Sequence, residues 1–445
     1  MPAIASRRVV SNCPTARAHT AIRFAYLLTD AYREREFDSR SPARMIPTPS
    51  SAIRAQPRPT LPNAAKIRPN APRIGVVFGG GALKGLAHVG ALRALAEAGV
   101  QPALYAGSSI GAMIAAAAAS GMSPEVLAER AMRFRRRDLF RINHLGMLMD
   151  RMLSRSIYLE SPLRTLCDEL VADGTFDDFK TPLLVTALDI DRAAPLVFGR
   201  PGLRNVRVRD AVYASCALPG FFPPGIVRGH TCIDGGTTDN LPVAIAALDV
   251  DALIAVDVGI ADVPMATGIA SQGFASIFMR AATMMMHEQQ QHSLERWTSP
   301  PMLLIRPKVS HIGWFSFTHV EELLQRGYEA TRDALRDLDV LLRAPGGIFP
   351  RRQVLLSVDH DACIGCGLCV ARAPNMMGLD VDQKAYVLTR EHSWSPADGA
   401  FVRCCPVDAI HVDPIAPTSP PSTSSTATPS ASAVAVRSVA ADINW

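Results

Sequence analysis

Gly107-Ser108-Ser109-Ile110-Gly111 stands between a short apolar run, Pro102-Ala103-Leu104-Tyr105-Ala106, and an alanine-rich stretch from Ala112 to Ser120. The first run reads as a strand and the second as a helix. A G-x-S-x-G sequence at a strand-to-helix turn is a nucleophile elbow: small flanking residues admit a strained turn that exposes the serine Oγ. Alone the pentapeptide is weak, because alanine and glycine are frequent in this chain. Upstream, Gly79-Gly80-Gly81-Ala82-Leu83-Lys84-Gly85 follows a continuous apolar strand, Ile74 to Phe78. Backbone without side chains turns its N–H groups readily toward a developing oxyanion. Two phosphate loops are excluded by spacing. The dinucleotide pattern needs glycine where Lys84 stands, and the P-loop needs lysine where Leu86 stands.

Downstream come Ala214-Ser215-Cys216-Ala217-Leu218-Pro219, then Ile233-Asp234-Gly235-Gly236 and Asn240-Leu241-Pro242. A serine hydroxyl needs a positioned base. Asp234, at a strand end bordered by a tight turn, serves if burial raises it above the ordinary carboxylate pKa of about 4. His230 is the rival base, in Val227-Arg228-Gly229-His230, which reads as a hairpin turn. Taken in this order, these segments resemble the patatin-like phospholipase family, especially its small bacterial members, over roughly Arg73 to Leu342. The resemblance implies an α/β three-layer sandwich with a mostly parallel sheet, and hydrolysis of phospholipid or other lipid esters. It also implies a Ser–Asp dyad, with Ser109 as nucleophile and Asp234 as general base. The backbone amides of Gly79, Gly80, Gly81 and Ala82 would form the oxyanion hole.

The order of apolar runs supports the same architecture. Ile74–Phe78, Leu104–Ala106, Pro182–Asp189 and Ala252–Asp257 alternate with helical stretches, the pattern of a parallel sheet covered on both faces. Ser109 then falls at the carboxyl end of a strand, where open α/β sheets place their sites. Asp189 and Asp191 fall at a similar end and read as pocket-shaping or solvated carboxylates. Lys84 reads as a solvated side chain or a headgroup contact, His88 as structural, and Cys216 and Cys232 as small buried residues.

A second signal lies near the other end. Cys363-Ile364-Gly365-Cys366-Gly367-Leu368-Cys369 is C-x2-C-x2-C, and Cys405-Pro406 follows later. This is the bacterial ferredoxin pattern of thiolates on an iron–sulfur cluster. The next ligand position of two-cluster ferredoxins is Ala373, so one [4Fe–4S] cluster is expected, on Cys363, Cys366, Cys369 and Cys405. Keeping Cys366 favours the four-iron over the three-iron form. Cys404 is surplus, and an exchange of roles with Cys405 stays open, as does a four-cysteine zinc site.

The chain of 445 residues, 48% apolar with a formal net charge of +5, has room for more than one domain. Residues 1–72 read as a disordered basic segment lacking a secretory signal, with Met45 an alternative start, so that residues 1–44 need not belong to the native protein. Residues 73–342 read as the patatin-like acyl-hydrolase domain, 343–352 as a linker, 353–414 as a small α+β ferredoxin-like iron–sulfur domain, and 415–445 as a disordered Pro/Ser/Thr/Ala-rich tail. Arg133, Arg135, Arg136, Arg137 and Arg141 interleave with Phe134, Leu139 and Phe140. Met147, Leu148, Met149, Met152 and Leu153 follow, an arrangement consistent with a solvated helix face or a peripheral membrane contact. Met284-Met285-Met286 reads as core filling. A nucleic-acid partner is not expected, because the basic cluster lacks an interleaved stacking platform. A cluster-bearing protein belongs in a reducing compartment, so the cytoplasm is expected, with a redox partner. The competing class is an electron-transfer protein whose α/β domain binds lipid or acyl groups without turnover.

Overall fold

The computed structural model describes residues 72–144, 154–259, 263 and 267–415, all within one compact unit. The segment before residue 72, Met147 to Leu153 and the tail beyond 415 lie outside the described residues. Two of the apolar runs become adjacent parallel strands with every residue buried, β1 (Ile74–Phe78) and β2 (Leu104–Ser108). Burial of this kind is what a sheet under two helical layers imposes. Between and after them run α1 (Ala87–Glu97), α2 (Ile110–Ala119), α3 (Pro124–Arg133) and α4 (Glu160–Leu170). The chain continues through β3 (Leu183–Asp189), β4 (Ala194–Phe198), α5 (Val208–Cys216), β5 (Gly225–Val227), β6 (His230–Asp234), α6 (Val243–Ala246) and β7 (Ala252–Val256). Next come α7 (Phe274–Glu295), β8 (Met302–Ile305), α8 (Val320–Ala334), α9 (Leu338–Arg343) and β9 (Ile348–Phe349).

The large sheet has the order β5-β6-β3-β2-β1-β7-β8-β9, with β4 on the remaining edge of β3. It is parallel from β3 through β9, as expected, whereas β4, β5 and β6 run antiparallel. The register explains why the functional residues meet. β2 pairs with β3 only as far as Ser108 opposite Thr186, and β6 takes over on the same edge with Asp234 opposite Ala187. The residue after β2 and the last residue of β6 are thereby brought side by side. On the outer face, α1 and α8 cross so closely that a Cβ on Gly90 would lie 1.9 Å from Leu324 O, and one on Gly327 1.8 Å from Ala87 O.

The C-terminal module follows as β10 (Arg352–Val358), α10 (Leu368–Arg372), β11 (Met377–Leu379), β12 (Ala385–Val387), β13 (Glu391–Trp394), α11 (Ala400–Arg403) and β14 (Ile410–Pro414). Its strands form a β13-β10-β14 antiparallel sheet and a β11-β12 hairpin around a separate small core that includes Val354, Leu356, Trp394 and Phe401. Ala397, however, packs into the core of the large domain with Leu294 and Leu304. Among the described residues no helix is long and apolar enough to cross a membrane. Two expectations are corrected. Met284 and Met285 are exposed rather than core, with Met285 at 65%, and Lys84 is buried rather than solvated.

Candidate active site and cysteine cluster

Ser109 lies between β2 and α2 with φ 54° and ψ −130°, a costly conformation for a residue with a Cβ. The elbow glycines make room for it. A Cβ on Gly107 would meet the Gly111 backbone at 2.5 Å, and one on Gly111 would meet Phe78 O at 2.2 Å. The Ser109 amide donates to the buried hydroxyl of Ser215, at 2.9 Å, near the end of α5. The Ser109 hydroxyl donates to Asp234 Oδ2 at 2.6 Å, and Asp234 Oδ1 accepts the Gly236 N–H at 2.8 Å. The Asp234 amide donates to Ala217 O at 3.0 Å, so the segment from Ser215 to Ala217 holds both partners. Asp234 is 4% exposed. Burial pushes its pKa up to about 6, and the bonds from Ser109 and Gly236 offset that only in part.

The rival base lies elsewhere. His230 Nδ1 is 2.7 Å from Asp189 Oδ2 and 3.3 Å from Arg192 Nη1, at the opposite end of β6. Four strand residues place it about 13 Å along β6 from Asp234. Asp189 is fully buried, and the His230 hydrogen bond, aided by Arg192, holds its carboxyl well below the usual range. It is therefore neither a solvated loop carboxylate nor a cavity residue.

The expected oxyanion set narrows. The Gly79 amide donates to Val256 O at 3.0 Å and the Gly80 amide to Asn240 O at 2.9 Å, so both are committed to the scaffold. Gly81 and Ala82 line the cavity beside Ser109, and no backbone carbonyl among the described residues takes their N–H groups. His88 is fully buried, and desolvation lowers its pKa to about 4, so the ring is neutral at ordinary pH and its Nε2 donates to Gly79 O at 2.8 Å. Ser109 and Asp234 open onto a cavity of about 840 Å³. Met113, Ile114, Leu127, Leu163 and Phe222 supply apolar wall, and Arg130, Arg133 and Arg141 line it together with the acidic Asp138 and Glu169, Arg133 being paired with Glu129. The side-chain roles of Ser215 and Asn240 escaped the sequence reading. Both stand inside quoted motifs, but their partners lie 106 and 160 residues away.

Cys363, Cys366, Cys369 and Cys405 line one small cavity with Val358, Ala385 and Ile410. Backbone amides point at two of the sulfurs, Ala385 N–H at Cys363 Sγ (3.4 Å) and Ala409 N–H at Cys405 Sγ (3.3 Å). Cys404 instead donates to Phe401 O at 3.0 Å. Among the described residues no three His, Cys, Asp or Glu side chains converge on a single-ion site. Four thiols around an apolar cradle, with amides directed at sulfur, fit an iron–sulfur cluster, whose charge such hydrogen bonds stabilise.

The class of protein is thus an α/β domain with a serine–carboxylate pair at the carboxyl ends of its strands, joined to a four-cysteine module. Residues 76–247 match the patatin-like phospholipase family, and residues 356–412 match the 4Fe-4S single cluster domain. The chain carries a patatin-like phospholipase domain followed by a 4Fe-4S single-cluster domain. It is similar to lysophospholipase nte1 of Aspergillus fumigatus, 28% identical over 293 residues, covering 60% of this chain and 18% of that protein. Lysophospholipase NTE1 of Coccidioides immitis is 28% identical over 290 residues, 59% of this chain and 17% of its own. The chain therefore spans less than a fifth of these relatives. Among solved structures, VipD from Legionella pneumophila aligns at 15% identity over 60% of this chain and 67% of its own, with a TM-score of 0.33.

Proposed function

We propose that the chain is a serine lipid acyl-hydrolase, a phospholipase or esterase with a Ser109–Asp234 dyad, carrying an iron–sulfur module for electron transfer or redox sensing. The observation that carries this reading is the 2.6 Å hydrogen bond from Ser109 to Asp234 at the wall of the 840 Å³ cavity. The names of the fungal relatives, lysophospholipases, support a lipid ester as substrate class. Above about pH 6 Asp234 is a carboxylate. It takes the hydroxyl proton as Ser109 Oγ bonds to the ester carbonyl carbon, and the carbonyl electron pair moves onto oxygen. The Gly81 and Ala82 N–H groups receive that charge, aided by the N-terminal end of α2. Collapse breaks the ester C–O bond, Asp234 returns its proton to the leaving alcohol, and the acyl group stays on Ser109. Water then repeats the steps, releasing the carboxylic acid and restoring the serine.

The arginines at the cavity suit an anionic headgroup, and its apolar wall suits an acyl chain. One [4Fe–4S] cluster is assigned to Cys363, Cys366, Cys369 and Cys405, where it supplies a one-electron couple. Peripheral membrane contact is assigned to α7, which lines the cavity through Met286 and exposes Phe274, Ile277, Phe278, Met284 and Met285. The test is intact mass after fluorophosphonate treatment, alongside hydrolysis of a short-chain nitrophenyl ester. Wild-type protein should gain one phosphonyl group, and Ser109→Ala should gain none and lose at least about 10³-fold in kcat. An unlabelled wild type, or ester turnover kept by Ser109→Ala, would leave the non-catalytic lipid-binding redox protein as the better account.

A further inference from the structure

The Gly80–Gly81 peptide is gripped from behind. Gly81, whose N–H no backbone carbonyl among the described residues takes, lines the cavity, while the carbonyl of the same peptide, on Gly80, accepts Asn240 Nδ2 at 3.3 Å. In a planar trans peptide these two groups point in opposite directions, so a donor on the carbonyl fixes the aim of the N–H. Asn240 Nδ2 also donates to Gln290 Oε1 at 3.2 Å, and Gln290 Nε2 donates to Asp257 Oδ2 at 2.6 Å. The same carboxylate oxygen accepts Arg306 Nε at 3.1 Å, and Arg306 Nη1 donates at 2.5 Å to Pro396 O in the iron–sulfur module. Asn240, Gln290 and Asp257 are buried, and the Arg306 side chain is 9% exposed. Few waters reach such a chain to replace a lost partner, and each unsatisfied group is costly.

The far end is seated as well. Ala397, next to Pro396, is inserted into the large-domain core. Arg372, the last residue of α10, pairs at 2.5 Å with Glu288 on α7, two residues before Gln290. The helix carrying Cys369 and the loop leading to Cys405 are therefore tied to the two elements that supply Gln290 and Arg306.

We propose that Asn240, Gln290, Asp257 and Arg306 are positioning residues for the Gly81 oxyanion donor. Through Pro396, the seating of the iron–sulfur module then becomes part of the hydrolase site. This rests on the Ser109 hydrolase reading, and it names the physical route by which the second module acts on the first.

The test uses the full chain and compares Gln290→Leu, Arg306→Met and the double variant, with Arg306→Lys as the milder change. Each single variant should lower kcat about tenfold with KM nearly unchanged, because a misaimed donor affects the transition state more than substrate binding. The double variant should lose little more than either single, since a chain already broken is not broken twice. Arg306→Lys, which keeps the charge opposite Asp257 but not the planar fork that reaches Pro396, should lose about threefold. The rate of fluorophosphonate labelling at Ser109 should fall in parallel with kcat, although its extent still reaches completion. Multiplicative losses, changes confined to KM, or wild-type kcat in any folded variant would overturn the proposal. A wild type that is not labelled at Ser109 would instead overturn the hydrolase reading beneath it. Should Gln290→Leu fail to fold, Arg306→Lys still decides between threefold loss and none.

Discussion

In the proposed dyad Asp234 must be both buried and a base, and burying the charge that makes it a base costs stability. With the pKa of Asp234 pushed up to about 6, kcat/KM should rise about tenfold per pH unit below 6 and level off above it. An acid whose pKa is raised by folding holds its proton more tightly in the folded state, so stability falls as pH rises from about 4 to about 6. A shift of two units corresponds to about 3 kcal/mol at neutral pH. Asp234→Asn removes the buried charge but presents an amide donor to one of the two groups that donate to the carboxylate, so the net gain is nearer 1–2 kcal/mol. The variant should be inactive, melt higher than wild type at pH 8 and melt equally at pH 4. Equal melting at both values would mean that the carboxyl is not desolvated in solution. The meeting of Ser109 with Asp234 could be expected from the sequence, because each sits in a short motif dictated by backbone strain and close approach. Ser215, Asn240 and the His88–Gly79 bond were not, because their roles depend on separations that only the folded chain closes. The elbow glycines marked the strained turn correctly. The glycine loop overstated its donors, since two of its amides are used to anchor the loop itself.

Among the elements, the buried central strands were legible and the antiparallel end of the sheet was not. β1, β2, β3 and β7 are continuous apolar runs, whereas β5 has three residues and β6 reads His-Thr-Cys-Ile-Asp, too mixed to signal a strand. The turn between them was visible, and Arg228 and Gly229 both adopt positive φ, as a two-residue hairpin requires. Yet the hand-over from β2 to β6 along β3, which brings Asp234 to Ser109, is a property of register. Helix α7 shows the opposite error. Its methionines suggested core, but Phe274, Ile277, Phe278, Met284 and Met285 recur at helical spacing on its exposed side, and the Phe274 and Phe278 rings stack at 6.1 Å. Because Met286 on the same helix lines the cavity, a membrane that covers this face would deliver lipid beside Ser109. The double change of Phe274→Ser and Phe278→Ser should weaken binding to phosphatidylcholine–phosphatidylglycerol vesicles by about 10–100-fold, at roughly 1 kcal/mol or more per partly buried ring. Hydrolysis of a soluble short-chain ester should be unchanged. Equal vesicle binding by both proteins would move the membrane contact away from α7.

At the scale of the whole molecule, the small C-terminal core is seated on the large domain through Ala397, and it has little to hold it together without the proposed cluster. The core of the C-terminal module includes Cys363 and Cys369 themselves, and its main sheet has three strands. Modules of this size commonly depend on a metal centre, whose binding free energy becomes folding free energy. Loss of one thiolate should therefore do more than lower iron content. In Cys405→Ser the iron and sulfide should fall well below wild type, and amide exchange should rise across 353–414 while β1 to β3 and β7 keep their protection. Cys404→Ser should match wild type in both measurements, because its thiol is turned toward Phe401 O rather than the cavity. The reverse pattern would exchange the roles of the two cysteines. Full iron retention with Cys404 and Cys405 both changed to serine would remove this end of the chain from the cluster. Exchange data on the same samples also show whether the seat at Pro396 and Ala397 survives when the module loosens. If it does, the coupling to Arg306 is carried by the large domain's grip on that loop, and not by the integrity of the module around the cluster.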